Sequence, residues 1–144
     1  MKERFTLSMV ICTLVALTHL LTSCDRDTPT PFEINKNLLR SAEWKIVNVK
    51  VDGVDRTNSF TGLTLRFEAA TYHTTNGNLV WGESGTWSFV KDDATTFRRD
   101  DNVEVKIIYA RRDELQLMLQ WSTTTYGSGR VNSIEGEHIF TFTH

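Results

Sequence analysis

The sequence predicts an all-β domain: a small antiparallel up-and-down barrel of about eight short strands, with a two-sheet sandwich as the alternative. Three observations carry this expectation. From Leu38 onward apolar residues recur at every second position, the period of a half-buried strand, and not at 3.6. Turn-forming pairs fall between the apolar runs as hairpins require. The only helical pattern in this part of the chain is about one turn near Asn35 to Ala42.

The elements follow in order. Trp44 to Val51 is β-branched and strand-like, and ends at the turn pair Asp52-Gly53. Leu63, Leu65 and Phe67 alternate with Thr64, Arg66 and Glu68. Tyr72 to Thr75 is a short strand closed by Asn76-Gly77, and Thr86 to Val90 puts Trp87 and Phe89 on one face. Thr95 to Arg99 follows Asp92-Asp93 and reads as an edge strand. Val103, Val105, Ile107 and Tyr109 then alternate with Glu104, Lys106 and Ile108, after the turn Asp100-Asp101-Asn102. Leu115, Leu117, Leu119 and Trp121 alternate with Gln116, Met118 and Gln120, and His138, Phe140 and Phe142 with Ile139, Thr141 and Thr143. There is no tandem repeat and no low-complexity tract.

The start of the chain is of another kind. Lys2 and Arg4 precede an uncharged, mostly apolar run from Phe5 to Leu21, the pattern of a secretory signal peptide. The run is short for a membrane span, is interrupted by Thr13, Thr18 and His19, and is followed by no cluster of Lys or Arg. At its end, Leu21-Thr22-Ser23-Cys24 resembles the lipobox of bacterial lipoproteins. That resemblance implies cleavage before Cys24 and lipid on its thiol, with two or three acyl chains holding the protein on a membrane. The only other cysteine, Cys12, lies in the segment to be discarded, so no disulfide is expected in the mature domain. The expected organisation is a signal peptide over 1–23, a flexible tether over 24–37 bearing Thr28-Pro29-Thr30-Pro31, and the barrel domain over 38–144. The expected location is the cell envelope, with the lipid in the outer membrane, on its inner leaflet or at the cell surface.

A second resemblance covers most of the mature chain. Leu39-Arg40-Ser41-Ala42-Glu43-Trp44, Asp52-Gly53-Val54-Asp55, Leu63-Thr64-Leu65-Arg66-Phe67, Gly85-Thr86-Trp87-Ser88-Phe89, Leu115-Gln116-Leu117 and Phe140-Thr141-Phe142 occur in that order. The series resembles the lipocalin-like domains of Bacteroidetes lipoproteins, although Ala42-Glu43-Trp44 stands where that family usually has Gly-x-Trp. The resemblance implies an eight-stranded barrel that either holds one small apolar ligand or is filled by side chains.

Phe67, Trp87, Phe89, Tyr109, Trp121, Phe140 and Phe142 fall on the apolar faces and are the candidate ligand-lining residues. The same residues would form the core that a domain without disulfides needs. Trp81, beside Gly82 in a loop, is a candidate rim anchor or a cap on the barrel's end. A formal net charge of −2 offers no field for nucleic acid. His73, His138 and His144 are scattered without metal-ligand spacing, and no metal or other cofactor is expected. Asp92-Asp93 and Asp100-Asp101 read as solvated turn residues. No nucleophile motif is present, so a monomeric binding lipoprotein is expected and not an enzyme. The expected partners are the membrane, through Cys24, and a small hydrophobic ligand. The alternative is a structural lipoprotein whose loops Asp52–Thr61, Asn76–Ser84 and Thr124–Ser133 contact an envelope protein or glycan.

Overall fold

The computed structural model describes residues 28–77, 80–122 and 135–144. The signal segment with Cys12, the lipidation candidate Cys24 and the loop Thr124–Ser133 lie outside the described residues. Helix α1 (Pro31–Leu39) leads into nine strands: β1 (Glu43–Val51), β2 (Val54–Asp55), β3 (Thr64–Phe67), β4 (Thr71–Thr75), β5 (Ser84–Phe89), β6 (Thr96–Arg99), β7 (Glu104–Ala110), β8 (Glu114–Trp121) and β9 (Gly136–Thr143). Apart from the two-residue β2, each strand pairs antiparallel with its sequence neighbours, and β9 returns to pair with β1. Val49 faces Phe140 and Val51 faces His138 across that closing seam. The result is a closed eight-stranded up-and-down barrel, and closure excludes the sandwich. β6, expected as an edge, is paired on both sides, by β5 and β7.

Local chemistry sets the turns. Asp52 and Gly53 both have positive φ, 48° and 80°, as a two-residue hairpin demands. The pleat then sends Leu65, Phe67, Phe97, Val105, Leu117, Leu119, Phe140 and Phe142 inward, all buried. Two bulges break the alternation. One pushes Val47 out of β1 to 54% exposure, and one pushes Ile108 out of β7 to 42%.

Residues 31–37, expected as part of a flexible tether, form α1 instead. Thr30 supplies the helix N-cap: its hydroxyl accepts from the Glu33 amide at 3.2 Å, and the Glu33 carboxylate accepts from the Thr30 amide at 2.8 Å. Pro31 occupies the first turn, where its missing N–H costs nothing. The helix docks on one end of the barrel. Phe32 meets Phe89 edge-on at 5.0 Å, the Asn35 side chain donates to the Ala94 carbonyl at 3.1 Å, and Leu39 is buried. The Trp44 indole donates to the Leu39 carbonyl at 2.8 Å, joining helix to barrel wall. Among the described residues no helix is long and apolar enough to cross a membrane.

Candidate functional site

The end of the barrel opposite α1 carries the unusual chemistry. Phe97 points inward from β6, so the pleat sends Arg99, two residues on, to the same side, where its side chain is only 1% exposed. A buried guanidinium needs partners. The Val80 carbonyl accepts from Nη1 at 2.8 Å, and the Asp101 carboxylate accepts from Nε and Nη2. Trp81, Trp121 and Tyr72 stand around it, with ring centres 4.7, 5.8 and 5.9 Å from Cζ. Such cation–π contacts, when desolvated, contribute about 2 kcal/mol. Burial alone would raise the Asp101 carboxyl, but hydrogen bonding and the charge of Arg99 outweigh it and hold it below the ordinary carboxylate value. The pair is therefore ionised and internally neutral.

Trp81 reaches this position through a tight turn. The Val80 and Trp81 amides both donate to the Gly77 carbonyl, at 3.0 and 2.6 Å. A Cβ on Gly77 would lie 2.6 Å from the Trp81 Cβ, so glycine is what lets the turn close. The buried indole then meets Tyr72 and Phe140 edge-on at 5.8 and 6.0 Å. Burial raises the Tyr72 hydroxyl above its ordinary value, Arg99 partly opposing this.

His138 enters from β9, fully buried, stacked on Phe140 at 5.7 Å and edge-on to Phe60 at 6.0 Å. Phe60 comes from outside the strands, on a short 3-10 turn over Thr57–Phe60. Nδ1 of His138 lies 3.0 Å from the Gly136 carbonyl, which only accepts, so the ring proton belongs on Nδ1 and Nε2 carries a lone pair. Burial pushes the imidazole below its ordinary value, which keeps it neutral; the bond to Gly136 and the charge of Asp52 oppose that shift.

Among the described residues three ring nitrogens here are buried without a hydrogen-bond partner: Nε1 of Trp81, Nε1 of Trp121 and Nε2 of His138. An unmatched buried donor or acceptor costs about 1–3 kcal/mol, so two such indoles beside Arg99 and a third such nitrogen on His138, whose ring shares the neighbour Phe140 with Trp81, are the strongest functional signal in the described residues. Among the described residues the imidazoles of His138 and His144 bond backbone carbonyls, those of Gly136 and Arg112. No group of three His, Cys, Asp or Glu side chains gathers among the described residues to hold a metal.

The predicted lining residues divide. Phe67, Trp87, Phe140 and Phe142 are buried in the barrel, and Trp121 is half-buried at the Arg99 end. Phe67, Trp87 and Phe97 pack edge-on at 5.3–5.6 Å, and Phe89 extends this cluster to Phe32 at the α1 end. Tyr109 does not belong to the interior. The β7 bulge turns it onto the outer face opposite Gln116, where its hydroxyl donates to Glu114 at 2.8 Å and Arg111 covers its ring; Ala110 takes the inward place. Trp81 is no exposed anchor either, being 1% exposed, and it closes the barrel's end from within. Arg99, Tyr72 and Phe60 are functional candidates that alternation alone does not single out. A usable signal existed for Arg99: a charge two residues from Phe97 on a strand's apolar face. Two open depressions of about 370 and 330 Å³ lie outside the barrel, one along α1 by Glu33, Lys36 and Arg40, the other by Val47 and Thr141.

No protein-family model matches the chain, and no curated protein is similar to it.

Proposed function

We propose that this protein is a lipid-anchored lipoprotein of the cell envelope whose lipocalin-like barrel binds a small amphipathic molecule at its Arg99 end. The observation that carries the binding reading is the set of buried nitrogens unmatched among the described residues: those of Trp81 and Trp121 beside the Arg99–Asp101 pair, and that of His138, which shares the neighbour Phe140 with Trp81. A ligand head would satisfy them. Its apolar tail would take the place of Phe60, a ring borne on a turn over Phe140 and His138 rather than on the barrel wall. The anchor reading rests on Leu21-Thr22-Ser23-Cys24 at the end of the apolar leader.

One observation favours a second reading, a packed scaffold whose loops contact an envelope protein or glycan. The interior rings already touch one another in an unbroken series from Phe89 through Trp87 to Phe97 and Phe67. Mass spectrometry of the protein taken from its own host tests both parts. A polypeptide beginning at Cys24 with added acyl mass is expected, together with a native-state adduct lost on denaturation. An unmodified chain that still carries residues 1–23 would overturn the anchor, and a clean apo mass would favour the scaffold.

A further inference from the structure

We propose that the head taken at the Arg99 end is uncharged and both accepts and donates hydrogen bonds, a secondary amide being the simplest such group. The inference rests on reading this end as a binding site and names the chemistry it selects. The two indoles are donors only, and Arg99 still has donor capacity beyond its bonds to Asp101 and Val80. A ligand must therefore bring an acceptor, and a carbonyl oxygen has lone pairs for two N–H groups. His138 reverses the requirement at one point. With its proton turned to the Gly136 carbonyl, the buried Nε2 is an unmatched acceptor and calls for a donor on the ligand. Trp81 and His138 share Phe140 as a neighbour, at 6.0 and 5.7 Å between ring centres, and a head that meets both would lie beside that ring.

Charge decides against a carboxylate. The one buried cation of the cluster is already neutralised by Asp101. Around the same end lie the exposed carboxylates of Asp52, Glu83, Asp100 and Glu137. An anion would approach through them and give up its hydration in a site with no net positive charge to repay it. A cationic head fares no better, because the guanidinium of Arg99 already occupies the aromatic surround of Trp81, Trp121 and Tyr72.

Three probes with one tail separate these cases: N-methyldecanamide, N,N-dimethyldecanamide and decanoate, titrated into the full chain at about pH 7.5, where the acid is ionised. The indole N–H resonances of Trp81 and Trp121 report contact. N-methyldecanamide is expected to bind about tenfold more tightly than either of the others, the effect of one matched polar group in a buried site, and to shift both resonances. His138→Phe should erase the difference between the two amides. Glu83→Gln with Glu137→Gln, both at exposed positions, should bring decanoate closer without changing the amides. Decanoate binding as tightly as the secondary amide, or two amides that the unaltered protein does not distinguish, would overturn the inference while leaving a binding site. Failure of all three probes to bind would instead remove the binding reading on which it stands.

Discussion

His138 couples the barrel to pH. Its imidazole is enclosed by Phe60 and Phe140, and burial is the main cause that lowers its proton affinity in the folded state. The unfolded chain, with an ordinary value of about 6.5, then binds the proton more readily than the folded one. Stability from this residue is complete above that value and declines as pH falls through it. Asp101 acts in a separate, more acidic window: its carboxyl is held below the ordinary value, so its contribution persists until pH falls toward that lower range. Urea denaturation between about pH 8 and pH 5 is expected to show falling stability in the unaltered protein and a flatter profile for His138→Phe. Equal slopes in the two proteins would show that His138 is not the group responsible. Residues of this kind were only partly legible in the sequence. Alternation placed His138 beside Phe140 on the apolar face, but nothing local says that its Nε2 would find no partner, because that depends on Trp81 and Phe60 arriving from other parts of the chain.

At the scale of elements, alternation located the strands closely, since the pleat and a one-sided core impose the same period. What it missed were the bulges. The register shift after Ile107 is settled by the pairing of β7 with β8, so Tyr109 looks inward in sequence and lies outward in the fold. Helix α1 is only partly legible, as the one turn expected near Asn35 to Ala42: its first half lies in a polar, proline-bearing run that resembles a linker, and its apolar contacts are few. The signature that defines it, Thr30 followed three residues later by Glu33, was present all the same. Because the cap is exposed and the helix short, Thr30→Ala should cost about 1 kcal/mol. Hydrogen exchange should locate the loss, with faster exchange over residues 31–39 and unchanged protection in β7, β8 and β9. Loss of protection across those strands as well would mean that α1 is integral to the barrel and not a cap on its end.

As a whole the molecule has two unlike ends. One is covered by α1, through Phe32, Asn35 and Leu39. The other holds the buried Arg99 cluster, with Asp52, Glu83, Asp100 and Glu137 exposed around it. Among the described residues closure of the sheet leaves only the two-residue β2 paired on one side, so this polarity is the main feature by which the barrel can be oriented. The lipidation proposed at Cys24 would orient it. Cys24 precedes Pro31 by so few residues that even a fully extended connection spans only about 25 Å. Such a length would keep the α1 end toward the bilayer and turn the acidic Arg99 end to the aqueous side, away from anionic headgroups. If the leader that carries Cys12 is removed and Cys24 is acylated as proposed, a new cysteine becomes the one labelling site. A fluorophore at Asn37→Cys on α1 should be quenched strongly by headgroup-quencher vesicles, and one at Glu137→Cys at the far end weakly. Equal quenching would mean that the tether lets the barrel tumble. The reverse order would place the Arg99 cluster against the membrane and make the bilayer itself the source of what it binds.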